Sequence, residues 1–257
     1  MATIHPTAII HAGAELDENV EVGPYCIVSE KTRIASGTRL MAHVVVDGIS
    51  IIGSNCTIYP FASLGTRTQD LKYSGGEASI EIGNQTTIRE SVTVNAATMD
   101  GGRTRVGSGC LLMAYSHVAH DCIVGDHVII ANCGTLAGHV ILDDHVIVGG
   151  LTGIHQFVRI GTMSIIGGCS KVTQDIPPFM MADGHPLRIR GINRIGLDRK
   201  NIGEESQRCL KQAYRILYRQ DLATSSALER IAAEVRMTPE VGDLIAFIQS
   251  SSRGISK

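Results

Sequence analysis

The sequence predicts an all-β parallel helix followed by a small α-helical C-terminal domain. Three observations predict it: branched aliphatic residues recur every six positions, large rings are scarce, and the apolar period becomes helical near residue 196.

The six-residue period is carried first by Ile4, Ile10, Leu16, Val22, Val28, Ile34, Leu40, Val46, Ile52, Ile58 and Leu64. Ile82, Ile88 and Val94 continue it, and a second run goes from Val106 by sixes to Val172. Four residues after each aliphatic lies a small or β-branched residue, such as Ala14, Cys26, Thr38, Cys56, Cys110, Ser116, Cys122 or Ser164. A period of six fits neither a helix nor a plain alternating strand. It fits a short strand and a tight turn, repeated, with the small slot and the next aliphatic on one strand face. Three such units close one coil of a triangular prism, and stacked coils make a β-helix. Glycine often follows the aliphatic, as at Gly23, Gly53, Gly107 and Gly125, and is expected to relieve a positive φ in the turn.

Residues 66–79 and 95–105 interrupt the repeat with polar, glycine-containing sequence, and read as loops leaving the coil. The β-helix is expected over 1–190. After Val172, Pro177-Pro178 is expected to forbid another ladder strand. The helical domain is expected over 191–257. Leu210, Ala213, Tyr214 and Leu217 mark one helix; Thr224 or Ser225 caps a second through Ile231 and Val235; Thr238-Pro239-Glu240 starts a third.

Composition narrows the function. A net charge of −2 supplies no basic field for nucleic acid and no polybasic membrane anchor. No apolar run approaches a membrane span, and the N-terminus lacks a signal-peptide pattern. The seven cysteines form no CxxC pair; Cys26, Cys56, Cys110 and Cys122 fall on the small slot and read as core residues of a cytoplasmic protein.

Positions 120, 138 and 156 (His120, Gly138, Gln156) are 18 apart, so they stack on successive coils at one prism edge. His117, His139 and His155 lie beside them. Zinc binding and general-base catalysis could both use such a cluster. No cysteine joins it, and general-base chemistry without a metal is the expected use. Asp121 would orient His120, and side-chain-free Gly138 would leave its N–H open to a developing oxyanion. A purely structural β-helix would show regular outward threonine rows instead.

The segments TQDLKYSG (68–75), IRESVTV (88–94), LLMAYSHVAHD (111–121), TLAGHV (135–140), GIHQFVRIG (153–161) and RIGLDRK (194–200) closely resemble the UDP-N-acetylglucosamine acyltransferases of lipid A synthesis. The resemblance spans essentially the whole chain. It implies a left-handed coil, although the general crossover rule favours the other hand. It also implies a homotrimer with sites between subunits. The expected reaction moves a (3-hydroxy)acyl group to the 3-position of the UDP-amino-sugar. The acyl donor is carried on the phosphopantetheine of acyl carrier protein, so no separate cofactor is expected. His120 matches the catalytic base, Gly138 the oxyanion donor, and Asp70 and Lys72 sugar-binding residues. His117, His139, His155, Gln156, Asn193 and Arg199 match substrate and nucleotide positions. Lys200 stands where the family often has a second arginine. Gly168 matches the position that limits acyl-chain length, and a glycine there implies a longer chain. Arg188, Arg190, Arg194, Arg199 and Lys200 would steer the acidic carrier. Asn95-Ala96-Ala97-Thr98 departs from the family's common His-Arg-Gly-Thr, which raises a 3-amino acceptor as an alternative. An acetyl-CoA-dependent sugar acetyltransferase is the other.

Overall fold

The computed structural model describes residues 1–257. Twenty-six two- to four-residue strands, from Thr3–Ile4 to Lys171–Val172, wind into three parallel sheets that form the walls of a prism. Partners in each wall are the repeat positions themselves, for example Leu112 with Ile130 and Val118 with Leu136. The repeated aliphatics from Val22 to Val172 are buried and fill the prism as a single stack. The first coil is open: Ile4 is 45% exposed.

The small slot has a chemical reason as well as a steric one. Several of its side chains donate to corner carbonyls: Thr38 to Gly53 (2.7 Å), Thr86 to Gly107 (2.8 Å), and the Cys122 thiol to Ala137 (3.1 Å). Serine, threonine and cysteine are therefore interchangeable here, because each is small and each carries a donor.

Two sequence expectations need correction. Of the glycines that follow the aliphatic, only Gly65 has a positive φ; the left-handed residue lies two positions further on and is seldom glycine (Tyr25, Asn55, His127, Leu151). Glycine is required instead by the stacking of coils. A Cβ on Gly107 would stand 2.6 Å from the Gly125 carbonyl carbon, and one on Gly83 2.6 Å from that of Gly107. The second correction concerns Pro177-Pro178. They turn the chain without ending the ladder: Met180–Gly184 pairs in parallel with Ile165–Ile166 and then in antiparallel with Leu187–Ile192. The prolines sit in the connection, where no ladder N–H is needed.

Four helices follow: α1 (Arg194–Arg199), α2 (Glu204–Arg219), α3 (Thr224–Glu234) and α4 (Pro239–Ser250). In α2, Leu210, Ala213, Tyr214 and Leu217 are buried, as their spacing requires. Thr238 caps α4 ahead of Pro239. Thr224 is the first residue of α3 rather than its cap; Ala223 holds the cap position without a side-chain hydrogen bond. The tail closes the coil through buried Asp175. Its carboxylate accepts from Arg159 N (2.8 Å) and Ser251 Oγ (2.7 Å), and its backbone pairs with Gly254 and Ser256.

Candidate active site

The corner after strand His117–Val118 holds His120 and Asp121, and the corner one coil on holds Gly138 and His139. Asp121, His139 and Phe157 all take the left-handed conformation, with φ of 58°, 61° and 64°. Their backbones pin the corners together: His139 N donates to His120 O and Phe157 N to Gly138 O, each at 3.1 Å. The register of the coil thus sets which side chains meet.

His120 Nδ1 lies 2.8 Å from Asp121 Oδ2, and both side chains are largely buried, at 15% and 13% exposure. A carboxylate accepts only, so Nδ1 carries a proton, and in the neutral imidazole Nε2 holds the lone pair. The ring lies against Gly138: a Cβ there would stand 2.5 Å from Nε2. Gly138 is buried, and its N–H donates to no acceptor in the protein. A buried donor without a partner, beside an imidazole with a free lone pair, can stabilise an oxygen that gains negative charge near that base.

The remaining groups surround this pair. His139 packs edge-on against His120 with ring centroids 5.2 Å apart, and stacks on Phe157 at 4.6 Å. His117 Nδ1 pairs with Thr93 Oγ1 at 2.7 Å, and burial, then the neighbouring His120, hold its pKa below the ordinary imidazole value. Ligand-type atoms of His120, Asp121 and His139 lie within 4.8 Å of one another. That is a metal-sized spacing, but His120 Nδ1 and Asp121 Oδ2 already serve each other. His155 and Gln156 are exposed on the next coil, where Arg253 of the tail donates to the Gln156 carbonyl.

The two loops that interrupt the repeat lie side by side. Asp100 Oδ1 accepts from Glu77 N (2.7 Å), and the hydroxyls of Thr68 and Thr98 are 3.1 Å apart. Thr98 N donates to Asp121 Oδ2 at 3.1 Å, so the second loop touches the site directly. Asp70 caps the turn of the first loop by accepting from Lys72 N (2.9 Å), and Lys72 is exposed.

Other sequence-predicted residues do not join His120 within one chain. Asn193 is buried and uses its whole amide on structure, donating to Met163 O (2.7 Å) and accepting from Gly196 N (3.0 Å) as the cap of α1. Arg199 and Lys200, at the exposed end of α1, lie on the edge that carries His145 and Met163. Gly168 lies on the third edge, over Gly150. Phe157, Thr98 and Thr104, whose hydroxyl accepts from Asp121 N, were not predicted. Phe157 was findable, being 18 residues after His139, and so was Thr104, a strand residue 18 before Cys122; Thr98 was not, because loop conformation alone delivers it.

The basic surface is wider than the sequence run implied. A cleft of about 640 Å³ between strand Leu187–Ile192, α1 and α2 gathers Arg190 and Arg194 with Arg208, Lys211 and Arg215 of α2.

Comparison with known proteins agrees with this architecture. A protein-family model described as "Udp N-acetylglucosamine O-acyltransferase; Domain 2" matches residues 175–256, and one described as "Bacterial transferase hexapeptide (six repeats)" matches residues 103–138. The acyl-[acyl-carrier-protein]–UDP-N-acetylglucosamine O-acyltransferase of Thermodesulfovibrio yellowstonii is 46% identical over 258 residues, covering 100% of both chains. Among solved structures, LpxA from Acinetobacter baumannii is 44% identical with a TM-score of 0.95, covering 99% of each chain. LpxA from Bacteroides fragilis, a UDP-N-acetylglucosamine acyltransferase, is 40% identical with a TM-score of 0.96, covering 99% of this chain and 100% of that one. The left-handed parallel β-helix with a small helical cap is thus the fold of the chain, and the chain belongs to the UDP-N-acetylglucosamine O-acyltransferase family.

Proposed function

We propose that this protein transfers an acyl group from the thioester of acyl carrier protein to the 3-hydroxyl of UDP-N-acetylglucosamine, the first step of lipid A biosynthesis. The observation that carries the reading is the His120–Gly138 pair: a base oriented by Asp121, facing a backbone N–H with no partner. His120 Nε2 takes the proton of the sugar hydroxyl as its oxygen attacks the thioester carbonyl carbon. Asp121 steadies the imidazolium, and the Gly138 N–H donates to the oxyanion of the tetrahedral intermediate. Collapse breaks the carbon–sulfur bond, and the leaving thiolate takes the proton from His120. No further cofactor enters these steps.

The distribution of the other residues supports a homotrimer with sites between chains. His120, Lys200 and Gly168 occupy three different edges of one prism, so only neighbouring prisms can bring such groups to one cleft. One wall also carries an outward apolar stripe, Leu111, Ile129, Ile147, Ile165 and Met181, in direct register. Such a stripe favours burial against another copy. The basic cleft suits an acidic carrier protein. No helix is long and apolar enough to cross a membrane, and all seven cysteines are free; both suit a cytoplasmic enzyme.

Mass spectrometry of the products from UDP-N-acetylglucosamine and a panel of acyl carrier thioesters tests the reading. A 3-O-acyl ester is expected, lost by roughly 10²–10⁴-fold in His120→Ala. Turnover only with the 3-amino sugar, or only with acetyl-CoA, would replace it.

A further inference from the structure

Asp121 is held by more than its own corner, and the second loop supplies the hold. Thr98 N donates to the carboxylate oxygen, Oδ2, that also accepts from His120 Nδ1. Thr98 is half-buried, and its hydroxyl pairs with that of Thr68, which is 6% exposed, on the first loop. Thr68 Oγ1 in turn accepts from Asp70 N at 3.1 Å. Asp70 is one of the two residues of that loop, with Lys72, matched to sugar binding. A continuous chain of contacts therefore runs from the Asp70 turn, through two hydroxyls, to the carboxylate that orients the base. Asn95, at the root of the second loop, ties it again to the first through Thr66 Oγ1 and the Arg67 carbonyl (3.1 and 3.2 Å).

We propose that the Thr68–Thr98 hydroxyl pair is a positioning latch that couples the sugar-binding loop to the orientation of His120. Neither threonine touches the reacting atoms. Each acts through another group: Thr68 through the Asp70 backbone, Thr98 through Asp121. The latch makes base orientation depend on the seating of the first loop, so sugar held at Asp70 and a correctly aimed Nε2 occur together. This rests on the acyl-transfer reading above.

The test uses the full chain and the substitutions Thr68→Val, Thr98→Val, both together, and Thr98→Ser. Each valine variant is expected to lose about tenfold in kcat, the scale of one hydrogen bond, with KM for the UDP-sugar raised in Thr68→Val. The double variant is expected to be no worse than either single, because both break one link. Thr98→Ser keeps the hydroxyl and is expected within about twofold of wild type. Additive losses, or unchanged kcat with only a lowered Tm, would overturn the latch. Amide exchange reads it without turnover: protection at residues 96–102 should fall about tenfold in Thr68→Val, and unchanged protection would also overturn it. A wild-type chain that transfers no acyl group would defeat the acyl-transfer reading alone, because the exchange measurement still decides the latch.

Discussion

The imidazole of His120 occupies the space that a side chain on Gly138, one coil further along, would need. The proposed base and the proposed oxyanion donor are thus one steric unit: the ring can sit there only because residue 138 has no Cβ. Gly138→Ala is therefore expected to displace the ring and lower kcat by at least about 10²-fold, as for loss of a base or an oxyanion donor. The fold should persist, since the clash falls on a corner side chain. Steady-state kinetics with a thermal melt checks this; an active Gly138→Ala would contradict the arrangement.

Coil stacking makes a separate prediction for the structural glycines. Gly107→Ala places a Cβ 2.6 Å from the carbonyl carbon of Gly125, far inside contact distance. The coils must part locally, at about 1–3 kcal/mol. Urea unfolding should show a lower midpoint than wild type.

His117 gives the stability a pH dependence whose sign is determinate. Burial, then the charge of His120, lowers its folded pKa below the unfolded value of 6.5. As pH falls through that value the unfolded chain takes up a proton that the native chain resists, so stability is lost toward acid until the depressed native pKa is reached. In His117→Gln this contribution is absent. Its Tm should fall less than that of wild type between about pH 7.5 and about pH 5.5. Because the substitution also removes the Thr93 hydrogen bond, the comparison is of slopes.

The buried thiols should be inert. Desolvation pushes Cys110 up to about 11 and Cys122 up to about 12. Alkylation of the native protein at about pH 8 followed by peptide mass mapping should leave Cys26, Cys56, Cys110 and Cys122 unmodified until denaturant is added.

On the proposed reading, Gly168 is the residue that would limit the acyl chain. Gly168 does not have a positive φ, and a Cβ would meet only the Gly150 backbone, its carbonyl oxygen at 3.2 Å, so a larger residue can be accommodated by a small shift. Gly168→Met should shift donor preference toward shorter chains by several carbons, seen in competition between carrier thioesters.

What the sequence alone determined is the coil. Its six-residue period names the wall strands, their register and their buried residues, because a period-six chain has one way to bury one aliphatic per strand. The column of His120, Gly138 and Gln156 follows from counting by 18. Tertiary structure decided the rest. It moved the reason for the glycines from φ to close packing, since contact between coils is not a property of one turn. It carried the ladder past Pro177-Pro178, because those residues lie between strands. It bound Thr68 and Thr98 to Asp121 in one network, because the loops that hold the two threonines have no period. It also separated His120, Lys200 and Gly168 onto three edges, a spacing that no one-dimensional pattern reports.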